Sequence, residues 1–116
     1  GVVTTFPFTS ELAGTPLYDK VALVTDGRFS GATEGASIGY VSPEAALMGP
    51  LLIVEEGDII SYDIDKRTIQ LELSDEEIQN RLGKAQLNIN YRPGWLGIYQ
   101  KTVGSITKGG VLSGKN

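Results

Sequence analysis

Ala22-Leu23-Val24-Thr25-Asp26-Gly27-Arg28-Phe29-Ser30-Gly31-Ala32-Thr33 joins a short apolar run to a polar, glycine-flanked loop. The run Val21-Ala22-Leu23-Val24, bounded by Asp19-Lys20 and by Asp26-Gly27, reads as a buried strand. From Thr25 to Gly39 the chain is rich in Gly, Ser and Thr and reads as one long ordered loop. A rigid strand feeding such a loop positions polar groups, and glycine lets a ligand approach the backbone. Gly31 beside Ser30 exposes amides able to bind a carboxylate or phosphate. The same residues also fit a structural turn in which Asp26 bonds to nearby backbone, and spacing alone does not choose between the two.

Outward from this segment the chain is a series of short elements. On the N-terminal side, Thr9-Ser10-Glu11-Leu12 fits the start of a short helix. On the C-terminal side, Ser42-Pro43-Glu44 reads as a helix start, with serine as N-cap and proline at the first position, where its missing N–H loses nothing. That helix continues through Ala45-Ala46-Leu47-Met48 and stops at Gly49-Pro50. Leu51 to Val54 reads as a strand, and Ile59 to Asp65 alternates with Ile60, Tyr62 and Ile64 on one face. After a Lys66-Arg67 connection, Thr68 to Leu73 alternates as a half-buried strand should. Ser74-Asp75-Glu76-Glu77 fits a capping box, and Ile78 and Leu82 share a face of the helix it begins. Arg92-Pro93-Gly94 breaks the chain, Trp95, Leu96, Tyr99 and Val103 follow at helical spacing, and Lys108-Gly109-Gly110 is a final turn. The expectation is five or six strands and three short helices, with antiparallel pairing between residues 51 and 73, forming a small barrel-like β core with flanking helices.

Composition narrows the chemistry. The chain has 116 residues, enough for a single domain with one modest core. Its net charge of -4, with no lysine or arginine cluster, argues against nucleic-acid binding. The longest apolar run, Gly49 to Val54, is far short of the roughly 18 residues a membrane span needs, and no signal peptide is visible. Cysteine and histidine are both absent. That excludes, within this chain, disulfides, thiolate chemistry, cysteine-held iron–sulfur clusters, the usual zinc sites and histidine as a general base. Chemistry here falls to hydroxyls, carboxylates, lysine, arginine and backbone amides.

The Thr25-Asp26-Gly27-Arg28-Phe29-Ser30-Gly31 block resembles the second signature of the dihydroxy-acid dehydratase/phosphogluconate dehydratase family. The resemblance continues through Gly39-Tyr40-Val41-Ser42-Pro43-Glu44-Ala45, Gly49-Pro50 and Val54-Glu55-Glu56-Gly57-Asp58-Ile59-Ile60. It then covers the Ser74-Asp75-Glu76-Glu77 helix start and Tyr99-Gln100-Lys101-Thr102-Val103 with its Gly109-Gly110-Val111 tail. It thus spans nearly the whole chain and lies closest to dihydroxy-acid dehydratase. The implied fold is a mixed β/α, swivelling β/β/α-type β-barrel domain, with residues 1–116 forming the single C-terminal domain of a longer enzyme. A larger N-terminal domain would hold the iron–sulfur cluster and most ligands of a magnesium ion, and this chain alone would bind neither.

The implied reaction removes water from a 2,3-dihydroxy carboxylate, giving an enol that tautomerises to a 2-oxo acid. In the family an open iron acts as Lewis acid on the leaving 3-hydroxyl, and magnesium binds the carboxylate and 2-hydroxyl. The resemblance gives the role of base to Ser30, which serves only if nearby cations favour its alkoxide. It places Gly31 beside the substrate through its backbone amide, and makes Thr25, Asp26 and Arg28 candidates to bind substrate or shape the loop. Arg28 could steer an anion or bridge to Asp26 or Glu44, and Glu44 also fits a first-turn carboxylate favoured by the helix dipole. Trp95 and Tyr99 fit core or domain-interface positions better than ligand contacts, and an exposed apolar patch including Trp95 is expected where the N-terminal domain docks. Three departures stand out: Tyr40 where the family usually has histidine, Glu34 where a basic residue is common, and residues 1–6 without the Gly-Met-x-Glu pattern. The first two bear on substrate choice. The resemblance further implies branched-chain amino-acid biosynthesis, a homodimer, and a cytoplasmic enzyme (organellar in a eukaryote), with the isolated chain inactive. An aldonic acid dehydratase of the same family and a stand-alone, non-catalytic barrel module are the competing readings.

Overall fold

The computed structural model describes residues 5–31 and 33–113. The departure read at residues 1–6 therefore falls largely outside the described residues. Helix α1, Phe6–Ala13, begins with Pro7 in its first turn, earlier than the Thr9 start the sequence indicated. Strand β1, Leu23–Val24, pairs in parallel with β2, Ser37–Ile38. Strand β3, Ile60–Asp63, pairs antiparallel with β4, Thr68–Leu71, in the register Ile60 to Leu71 and Asp63 to Thr68. Helix α2 covers Asp75–Lys84 and α3 covers Trp95–Thr102. Single 3-10 turns lie at Ala45–Leu47, Pro50–Ile53 and Ile106–Lys108.

The expected mixed α/β content is present, but the described strands number four and form two separate two-stranded sheets, with no closed barrel among them. Two sequence readings account for part of the difference. Of Leu51 to Val54, expected as a strand, all but Val54 lie in the Pro50–Ile53 3-10 turn, where the amide of Leu52 donates to the Gly49 carbonyl at 3.0 Å. A four-residue apolar run carries no period that separates a strand from a buried helical turn, and Pro50 presets the backbone for the turn. The helix expected from Ser42 shrinks to one 3-10 turn, because Glu44 is extended (ψ 152°) and Met48 turns left-handed (φ 63°). The chain must then double back at Gly49, which passes so close to Pro43 that an added Cβ would lie 1.7 Å from its carbonyl oxygen.

Elsewhere the hairpin and the two later helices lie where the sequence places them, whereas the strand read as buried over Val21–Val24 shortens to Leu23–Val24, with Val21 and Ala22 exposed. The β3–β4 hairpin turns where Asp63 accepts from the Lys66 amide (2.9 Å) and pairs with its ammonium group (3.1 Å). Helix α2 is capped by Ser74 Oγ, which accepts from the Glu77 amide at 3.2 Å. The Glu77 carboxylate does not close the capping box; it points forward to Arg81 Nε at 2.7 Å. Arg81 Nη1 also donates to Asp58 (2.7 Å) and to the Ile53 carbonyl (3.4 Å), so one guanidinium fastens α2 to the turn beneath it. Ile53, 6% exposed, is the apolar side chain at the centre of that contact, and burying it contributes about 1.5–3 kcal/mol. At α3, Gly94 (φ 68°) and Gly97 fold residues 92–94 tightly against the helix, and Gln100 Oε1 accepts from the Arg92 amide at 2.8 Å.

The molecule is open for its size. Its radius of gyration is 15.8 Å, against about 13 Å for a compact domain of this length. It exposes 8608 Å², where a folded monomer of its mass exposes about 6,100 Å². Trp95 (68%), Leu96 and Ile98 of α3 and Ile64 after β3 stand in solvent.

Candidate functional site

The loop read as functional rises from a zipped base. Leu23 N donates to Ala36 O (2.8 Å), Thr25 N to Ile38 O (3.0 Å), Tyr40 N to Gly27 O (2.9 Å) and Val41 N to Thr25 O (3.2 Å). These bonds extend the parallel pairing on both sides of the two-residue strands, so residues 28–35 project from two fixed rails. Strand β2 lies inside what the sequence presented as continuous loop, because two residues flanked by Ala36 and Gly39 leave no alternation to read.

Base and tip of the loop have different chemistry. At the base, Thr25 Oγ1 accepts from the Gly27 amide (2.9 Å), and Asp26 Oδ2 accepts from the Ala45 amide (2.8 Å). Both side chains are half-buried and already engaged. Gly39 leaves room for Phe29, since an added Cβ would lie 2.9 Å from the Phe29 ring. Toward the tip, Arg28, Ser30 and Gly31 are exposed. The Arg28 carbonyl accepts from both the amide and the hydroxyl of Thr5, each at 3.0 Å, which ties the loop to the start of α1. Among the described residues no carboxylate pairs with the Arg28 guanidinium, so neither expected bridge forms; Asp26 is held by Ala45, and Glu44 points elsewhere. The Ser30 carbonyl accepts from the Thr33 amide (3.2 Å), closing a turn, and around Gly31 the space within 4 Å of an added Cβ is empty.

Two residues gain interest only in three dimensions. Thr33 Oγ1, in the same turn as Ser30, is buried without a hydrogen-bond partner among the described residues, and a buried hydroxyl normally has one. Glu44 uses both carboxylate oxygens on the C-terminal segment, accepting from the Ile106 amide (2.6 Å) and from Ser105 Oγ (3.3 Å). Burial pushes the Glu44 carboxyl up, but the hydrogen bonds from Ile106 N–H, its own amide and Ser105 outweigh it and hold the group below its ordinary range. Neither partner is visible in sequence, because Ser105 and Ile106 lie more than sixty residues away.

A cleft of ≈ 330 Å³ opens behind the loop's base, lined by Val24, Val41, Pro50, Ile60, Ile69 and Ile78 among others. Ser30, Arg28 and Gly31 do not line it. Its walls come from Val24 of β1, from β3, β4 and α2, and from residues 41–43 and 50–54, so it lies apart from the loop's exposed groups.

With this geometry in view, the comparisons are direct. Residues 1–110 match the profile described as Dihydroxy-acid/6-phosphogluconate dehydratase C-terminal. The chain belongs to this family. It is 51% identical over 104 residues to a dihydroxy-acid dehydratase of Halothermothrix orenii, covering 90% of the chain and 19% of that relative. It is 52% identical over 108 residues to a dihydroxy-acid dehydratase of Acetivibrio thermocellus, covering 92% of the chain and 20% of the relative. The dihydroxy-acid dehydratase of Methanobrevibacter smithii is 52% identical over 104 residues, again 90% of the chain and 19% of the relative. The chain thus spans about a fifth of the length of the curated relatives it matches. The segment Thr25 to Thr33 lies within the matched range, so the family's C-terminal domain is where its zipped loop belongs.

Proposed function

We propose that the chain acts as the C-terminal domain of a dihydroxy-acid dehydratase, a hydro-lyase that converts a branched 2,3-dihydroxy carboxylate to a 2-oxo acid in branched-chain amino-acid biosynthesis. In this reading the Ser30 alkoxide takes the proton from C2, the C3–O bond breaks, the departing hydroxide takes up that proton to leave as water, and the resulting enol tautomerises. The observation that carries the reading is the exposed Ser30 at the tip of a loop whose base is fixed by four backbone hydrogen bonds. Such a base holds a reacting group in place while leaving the group itself accessible. A serine hydroxyl gains a proton-accepting role only where positive charge favours its alkoxide. Arg28, unpaired among the described residues, supplies one such charge two positions away.

The chain's own residues do not fit the cluster or the magnesium ion that the family implies. The sequence has no cysteine or histidine, and no group of three acidic residues among the described residues could hold a metal ion. Those groups belong in this reading to a larger N-terminal domain. The same domain would cover part of the 8608 Å² the chain exposes. The apolar cleft between the sheets supports the swivelling barrel as the fold's closed form, with the cleft as its interior. A homodimeric, cytoplasmic enzyme (organellar in a eukaryote) completes the reading. Among the described residues no helix is long and apolar enough to cross a membrane.

The test is Ser30→Ala in the full-length protein, with metal and cluster content matched to the wild type. Turnover of the dihydroxy acid should fall at least about a hundredfold with substrate binding retained. Near-normal formation of the 2-oxo acid would remove Ser30 from the chemistry. The isolated chain, assayed as the control, should be inactive.

A further inference from the structure

Asp26 and Glu44 are the two carboxylates that meet the chain at the start of the turn Ala45–Leu47, and each accepts from a backbone amide far along the chain. Asp26 Oδ2 accepts from Ala45 N at 2.8 Å across 19 residues. Glu44 Oε1 accepts from Ile106 N at 2.6 Å across 62 residues, and its Oε2 accepts from Ser105 Oγ at 3.3 Å. Glu44 and Ala45 are adjacent, so the two contacts run in series from the base of the Ser30 loop, through one 3-10 turn, to a second. The far end is itself held. Gly104 N donates to Val111 O and Ser113 N to Thr102 O, both at 2.9 Å, and Val103 bridges Leu112.

We propose that Asp26 and Glu44 are positioning residues that fix the Ser30 loop through this backbone relay, rather than groups that touch the substrate. Both Glu44 oxygens and Asp26 Oδ2 already accept hydrogen bonds from this chain, and those bonds fix where the two side chains lie. The bonds are charge-assisted, stronger than neutral ones and more demanding in direction. They add side-chain anchors to a base that the backbone hydrogen bonds of Leu23, Thr25 and Gly27 already pair with residues 36–41. Losing either contact frees the loop's base to shift, and a displacement of about 1 Å in a reacting group costs on the order of a hundredfold in rate.

The inference rests on the catalytic reading of Ser30, and amide exchange separates the two. An amide side chain keeps the accepting oxygen but not the charge. Asp26→Asn and Glu44→Gln in the full-length protein should therefore keep kcat within about tenfold of the wild type, while Asp26→Ala and Glu44→Ala lose on the order of a hundredfold in kcat with KM little changed. Hydrogen exchange at residues 26–33 should quicken in the alanine variants and stay near wild type in the amide variants. If Asp26→Asn is as inactive as Asp26→Ala while exchange in the loop is unchanged, the charge itself is used and the proposal is overturned. Unchanged exchange and turnover in both alanine variants overturn it equally. Should an alanine variant fail to fold, the paired amide variant decides on both readouts. A Ser30→Ala enzyme that still turns over would remove the catalytic reading and leave the relay to be judged by exchange alone.

Discussion

A methyl group added at Gly49 would lie 1.7 Å from the Pro43 carbonyl oxygen, whereas one added at Gly31 would meet nothing within 4 Å. The first glycine is fixed by the fold, and the second is free of it. Gly31→Ala should accordingly leave the melting temperature of the full-length protein within about 2 °C of wild type, since an unstrained exposed substitution changes stability little. If substrate occupies the open space beside Ser30, the same variant raises KM or lowers kcat; unaltered kinetics would place the substrate elsewhere. At this scale the sequence is most informative where chemistry is local. Ser30, Gly31 and Arg28 are legible from their order along the chain. The partners of Asp26 and Glu44 are not, because hydrogen bonds across 19 and 62 residues leave no periodic trace. Thr33 is a similar case: its orphaned hydroxyl is a property of the surroundings that close over it.

Among the elements, α2 has the most complete set of local signals: a serine cap, three acidic residues in the first turn, and Arg81 and Lys84 in the last. It also carries a weakness, Gly83, whose added Cβ would touch nothing within 4 Å. Gly83→Ala should stabilise the protein by about 0.5–1 kcal/mol, read as a higher denaturant midpoint with an unchanged slope. A lowered midpoint would mean that α2 does not end as described. The β3–β4 hairpin and α3 are legible for the same reason as α2, since alternation and helical spacing extend over enough residues to be read. The elements that escape are short ones. Residues 45–53 form two 3-10 turns separated by a left-handed Met48 and a glycine pressed against Pro43. Their shape is decided by close packing, which apolar runs and cap signals describe only in outline.

At the scale of the molecule, charge is arranged asymmetrically in pH. Backbone donation from Glu55, reinforced by Arg81, holds the Asp58 carboxyl below its ordinary value, and Arg81 followed by Asn80 does the same for Glu77. Glu44 is lowered as well. A carboxyl whose folded-state pKa is depressed adds stability above its unfolded value, and that stability is lost as pH falls through the folded value. With ordinary values of 3.8 for Asp58 and 4.5 for the glutamates, melting temperature should be flat from pH 7 to about 5 and decline steadily below it. Arg81→Met should make that decline shallower; an equally steep decline would show that other carboxylates govern it. Asp58, with its side chain only 9% exposed, carries more of this effect than Glu77 at 41%, because solvent screens the outer pair. The residue pattern foretold mixed α/β content, but the excess surface and the two separate sheets arise from how distant segments pack. A short window of residues does not record such packing.

Trp95 is the chain's one tryptophan, and it stands 68% exposed at the start of α3. An indole so placed emits as it would in water, and moving it against apolar protein shifts that emission to shorter wavelength. The domain therefore carries its own optical gauge: titrated with whatever surface covers α3, it reports the burial through its native fluorescence, with no dye attached and no catalysis required.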